Sequence, residues 1–140
     1  MTMSKISPQI NSPQERIEMY LVNADHYYKN SQETLSKKEY GKAGELLWGA
    51  IAESIKALYL GETGKPIDSH NQIRDFLNRL STMYNKDVLD KWKRSVNNLH
   101  VNFYETYLDE STFLEYYEDG EQLVAFIQSQ LIKKKKKQKK

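Results

Sequence analysis

The sequence contains no cysteine. Disulfides, thiolate metal ligands and thiol nucleophiles are therefore excluded, and the absence fits a reducing cytoplasm. Proline and glycine are scarce, at 3 and 6 of 140 residues, so regular structure should run long between breaks. No stretch approaches the ~18 consecutive apolar residues of a membrane-spanning helix. The opening MTMSKISPQINSPQ lacks the apolar run of a signal peptide. The expectation is a cytoplasmic protein with no membrane partner. Strand-type alternation is nearly absent too, while apolar residues recur at spacings of three and four. The predicted class is all-α.

What is present fits a folded body. Hydrophobic residues make up 39% and charged residues 29%, and 140 residues suffice for one domain with a real core. The 10 tyrosines stand out, because a buried phenol needs a partner for its hydroxyl. The net charge of +2 hides an asymmetry: seven of the last eight residues are lysine, and without them the chain carries −5. The body is acidic and the tail basic. Residues 1–11 read as a flexible N-terminus, 12–132 as a helical bundle and 133–140 as a lysine-rich tail. Such a tail suits a solvated helix end, or a salt-sensitive attraction to a polyanion such as RNA.

The chain resolves into four long helices and one shorter one. Ser12-Pro13-Gln14-Glu15 is a capping box opening a helix that runs to about Leu35. Ser36-Lys37-Lys38-Glu39 reads as a second box, opening a helix that ends near Leu60 with Gly61 as its C-terminal cap. That helix is apolar over a wide arc, from Tyr40 and Ala43 to Ile55 and Leu58, so it should be central. Ser69 can cap a short helix ending near Met83, and Asp87 one ending near Leu108. Thr112-Phe113-Leu114-Glu115 is a third box, opening a last helix that Gly120 should kink. The expected architecture is an antiparallel bundle with short loops.

Chemistry concentrates in Trp92–Tyr107, WKRSVNNLHVNFYETY. Leu89, Trp92, Val96, Leu99, Phe103 and Tyr107 form a core seam at 3-4 spacing. Arg94, Asn98 and Val101 share the opposite face, which suits a dimer surface. On a regular helix Arg94 and His100 are roughly 120° and 9 Å apart. One chain holds them poorly as a pair, but a two-fold partner could bring the arginine of one chain to the histidine of the other. Histidine can move a proton near neutral pH, and arginine offers a fork of donors to phosphate. Together, with no metal, they suit RNA cleavage by attack of a 2′-hydroxyl. Asn98, Asn102 and Tyr104 could add hydrogen bonds, and Glu45 could face solvent or pair with a cation such as Arg94. A helix surface with no chemistry explains the same residues.

Arg94-(five residues)-His100 also resembles the Arg-x4–6-His motif of HEPN domains, helical bundles that often dimerise through it. Tyr40, Ala43, Glu45, Trp48, Gly49, Ala50, Ile55, Lys56 and Ala57, with His70 and the run Leu99-His100-Val101-Asn102-Phe103-Tyr104-Glu105, resemble the archaeal PaREP-type branch of that superfamily. The resemblance covers about residues 36–130. It implies a homodimeric, RNA-directed module. Many HEPN proteins are metal-independent ribonucleases of toxin–antitoxin or defence systems, with an antitoxin protein as partner. Others are non-catalytic modules that bind a nucleotide, RNA or protein. Ser95 follows the arginine where active members tend to carry Asn, Asp or His, which is a departure from the nuclease pattern.

The remaining motifs point elsewhere. His70 suits the start of its helix, and His26 reads as a partly buried polar residue. No two histidines have helical ligand spacing and there is no HExxH, so neither a metal nor another cofactor is expected. GETGK lacks the spacing of a phosphate loop.

Overall fold

A computed structural model describes residues 12–84, 86–100 and 108–138, and all regular structure among them is helical. The elements are α1 (Pro13–Ser36), α2 (Tyr40–Thr63), α3 (His70–Met83), α4 (Asp87–Ser95), a π-helical segment (Val96–His100) and α5 (Glu110–Gln138). Phe103 and Tyr107 of the expected seam lie outside the described residues.

Local chemistry explains where the helices start and stop. The Glu15 N–H donates to Ser12 Oγ at 3.1 Å, and the Ser12 N–H donates back to Glu15 Oε1 at 2.8 Å, so the first capping box forms in full. The second does not. Ser36 stays in the last turn of α1 and its hydroxyl donates to the Glu33 carbonyl at 2.6 Å. Lys38 turns the chain with φ 62, and Glu39 precedes α2 without a side-chain cap. Nor does α2 stop at Gly61. It continues to Thr63, where Gly64 takes the left-handed conformation at φ 75 and its N–H donates to the Leu60 carbonyl. Glycine pays no steric penalty for that conformation. Ser69 caps α3 as expected, accepting from the Gln72 N–H at 3.2 Å. Asp87 lies within the first turn of α4 rather than before it. The third box also yields: α5 begins a turn early because Asp109 accepts from the Thr112 N–H at 2.7 Å. That bond holds the Asp109 carboxyl below the usual carboxylate range.

Helix α2 is the core. Ala43, Leu47, Ala50, Ile51, Ile55, Ala57 and Leu58 are fully buried, whereas α1 buries only Ala24 and Ser31 among its described side chains. Each large aliphatic side chain buried this way contributes about 1.5–3 kcal/mol. Around it gather Phe76, Leu77 and Leu80 of α3, Val88 and Trp92 of α4, Leu99, and Phe113, Tyr117, Leu123 and Ile127 of α5. Gly120 does not interrupt α5. A Cβ there would lie 2.7 Å from Leu47 Cδ2, so its glycine allows α5 to press on α2. Helix α1 runs against α2, with Tyr27 over Gly49 and Ser31 bonded at Ala43.

The half-buried phenol of Tyr28 and the buried one of Tyr117 both have partners. Tyr28 donates to Glu121 Oε2 at 2.6 Å. Ser31 Oγ donates its one proton to the Ala43 carbonyl at 2.7 Å, so Tyr117, also 2.7 Å away, donates to Ser31. Burial, and for Tyr28 the bond to Glu121, pushes both phenols above their ordinary value of 10.0. A raised folded pKa favours the folded state fully below the unfolded value and loses that contribution as pH rises through the folded one. Urea unfolding should therefore show constant tyrosine-linked stability up to about pH 10 and a decline above it. Tyr28→Phe should make that alkaline decline shallower; an unchanged slope would contradict the linkage.

Candidate functional site

The site grows from a change of helical pitch. Helix α4 is regular to Ser95, and Val96–His100 then widens into a π turn. Such turns shift the side-chain register and expose carbonyls that have lost their usual partner. Asn98 supplies one donor there: its Nδ2 lies 2.7 Å from the Arg94 carbonyl. Leu99 is fully buried, and its carbonyl and Cβ sit against Gly44, where a Cβ would lie 3.2 Å from the Leu99 oxygen and 3.2 Å from the Phe113 ring. Gly44 thus permits the π segment to lie directly on α2.

That contact places His100 on α2. Its Nδ1 is 2.6 Å from Glu45 Oε1. One turn further along α2, the Trp48 ring stacks on the imidazole, with centroids 5.2 Å apart and planes at 29°. The carboxylate and the indole fix the ring in position and in plane. With Glu45 ionised, a neutral imidazole must carry its proton on Nδ1, which makes Nε2 the basic nitrogen. His100 and Glu45 are both about one-third exposed, so the pair is reachable from solvent.

Arg94 goes elsewhere. Its Nε donates to Asp119 Oδ2 at 3.0 Å, tying α4 to α5. Asp119 is the more enclosed partner at 19% exposure, and Arg94 is half exposed. Glu45, which could have paired with Arg94, instead pairs with His100. Within one chain, then, the arginine and the histidine engage carboxylates on different helices. Asn98 is used within its own helix. Val101, Asn102 and Tyr104 lie outside the described residues, as does the side chain of His70. His26 is exposed on α1 rather than partly buried. Among the described residues no group of three His, Asp or Glu could hold a metal ion, and no helix is long and apolar enough to cross a membrane.

Trp48, Gly44 and Asp119 were not singled out as site residues from the sequence. Gly44 carried a readable signal, since glycine inside a helical pattern often marks a close approach. Asp119 carried none, because its role depends on how α4 lies against α5.

The model of the archaeal PaREP1/PaREP8 family matches residues 19–124. The chain belongs to that family. The match spans Glu45, Trp48, Arg94, His100 and Asp119, so the whole site of this PaREP1/PaREP8 chain lies in the family region. Comparison with curated proteins and with solved structures finds no similar chain.

The His100 clamp can be read directly by nitrogen-detected NMR. In the neutral wild-type ring the proton should sit on Nδ1. Glu45→Ala should shift the ring toward the Nε2–H form that predominates in free histidine and cost about 1 kcal/mol of stability. An Nε2–H tautomer in the wild type would show that the carboxylate does not hold the ring.

Proposed function

We propose that this protein is an HEPN-like, RNA-directed module that acts as a cytoplasmic homodimer and cleaves RNA without a metal. The observation that carries the proposal is the Glu45–His100 pair, a carboxylate-oriented imidazole stacked on Trp48. In the reaction, His100 takes the proton from a ribose 2′-hydroxyl, whose oxygen bonds to the adjacent phosphorus as the bond to the 5′-oxygen breaks. The imidazolium then returns the proton to that leaving oxygen. The products are a 2′,3′-cyclic phosphate and a 5′-hydroxyl. Arg94 stabilises the charge on the phosphate, and antiparallel packing of two π segments would bring the partner's Arg94 to His100. The phosphate must then replace Asp119 on that arginine. An antitoxin protein would cover the face that carries His100.

A second reading is a non-catalytic module that binds nucleotide, RNA or protein at the same residues. Two observations favour it: Arg94 is already paired with Asp119, and Ser95 follows the arginine.

Purified protein incubated with several RNAs in excess chelator separates the two. Cyclic-phosphate products from wild type, reduced at least about a hundredfold in His100→Ala, are expected of the cleavage reading. Binding without turnover, lost in Arg94→Ala, is expected of the second. Equal inertness of wild type and His100→Ala removes the enzyme.

A further inference from the structure

Helix α5 is divided by charge. Its first twelve residues, 110–121, hold five acids and no base, and its last turns hold the lysine run 133–137. Asp119 is used inside the chain by Arg94, and Glu121 by Tyr28. Glu110 accepts from Tyr40, while Glu115 and Glu118 stand exposed on the outer side.

Two apolar side chains on that outer side lie open to solvent. Leu114 is 41% exposed and Ile132 is 57% exposed. They are 18 residues apart, which is five whole turns of about 3.6 residues, so both stand on one line along the helix, about 27 Å from each other. Ala125 is exposed as well and falls within about 20° of the same line. Core packing uses another side of α5, through Phe113, Tyr117, Gly120, Val124 and Ile127.

We propose that this outer face is an interaction surface for a second copy of the chain, with the two α5 helices antiparallel about a two-fold axis near residue 123. A straight helix cannot bring its own Leu114 to its own Ile132. Two antiparallel copies bring these residues together twice, once at each end of the seam, and the small Ala125 near the axis lets the backbones approach. The same arrangement runs Glu110, Glu115 and Glu118 of each copy beside the lysine run of the other. A parallel pair would set acid against acid and lysine against lysine, so charge fixes the direction. Exposed ion pairs are individually weak. The apolar contacts therefore supply the attraction, and the charges supply direction and salt sensitivity. A foreign partner would have to present the same order of apolar and charged groups at the same spacing, which this chain already carries. The face includes no residue of Val96–His100. It is a different contact from the π-segment pairing of the cleavage reading, and it holds whether or not RNA is cleaved.

Full-length protein is followed by light scattering over a range of protein and salt concentrations, with helicity checked by circular dichroism. One variant carries Glu115→Lys and Glu118→Lys. A second carries Lys133→Glu, Lys134→Glu and Lys136→Glu. Each variant meets itself with like charges along the seam, yet the two are complementary to each other. Wild type should double its mass as concentration rises and fall back at about 0.5 M salt. Each variant alone should need at least about tenfold more protein to associate, and an equimolar mixture should recover wild-type association. Leu114→Ser should weaken association without altering charge. Variants that keep the wild-type mass show pairing elsewhere; they overturn the inference and leave the π-segment dimer standing. A mixture that fails to recover overturns it too. A wild type that stays single at every concentration leaves the face to a foreign partner and likewise overturns it.

Discussion

Helix α2 and the π segment touch at Gly44, and the candidate site depends on that contact. A backbone carbonyl, that of Leu99, would meet any Cβ at position 44 at 3.2 Å. Carbonyls in a buried segment have little room to retreat. Because the backbones meet there, the next residue on each side can also meet: Glu45 reaches His100, and Trp48 reaches the same ring from one turn away. Phe113 of α5 packs on Gly44 as well, so the contact joins three elements of the core. The site is thus an outgrowth of core packing, not a loop added to it.

Glycines perform three distinct tasks in this chain, all set by geometry. Gly64 supplies a left-handed backbone. Gly44 and Gly120 allow close approach of the π segment and of α5 to α2, and Gly49 lets a tyrosine ring lie flat on α2. Gly44, Gly49 and Gly120 mark where neighbouring elements press on α2. The charges follow a similar economy. Arg94 has Asp119 and Lys56 has Glu53, while Glu45 is taken up by the His100 ring. Any anionic ligand must therefore displace or share a carboxylate, which makes phosphate binding at these cations a competition.

Much of the fold could be read from residue patterns. The Ser12–Glu15 box, the Ser69 cap, the broad apolar arc of α2 and the demand of the tyrosines for partners all come from short-range chemistry. Structure departs from the residue patterns where two local signals compete. Asp109 and Thr112 can each open α5, and the carboxylate prevailed a turn earlier. Gly61 and Gly64 can each end α2, and the one at positive φ did. Ser36–Glu39 has the letters of a capping box but lies across the end of α1. The π turn was hidden for another reason. A 3-4 spacing of apolar residues is compatible with a regular helix, so nothing local announces the wider pitch that turns His100 toward α2. Arg94 and His100 were legible as candidates, yet their carboxylate partners come from helices remote in sequence.

A double-mutant cycle tests the dependence of the His100 clamp on Gly44 most directly. Stabilities of wild type, Gly44→Ala, Glu45→Ala and the double variant are measured by urea unfolding. Gly44→Ala should cost about 1–3 kcal/mol from the forced backbone shift. In that background Glu45→Ala should cost close to nothing, because the π segment has already moved and the bond to His100 is gone. Strictly additive effects, with the Nδ1–H tautomer of His100 intact in Gly44→Ala, would contradict the account.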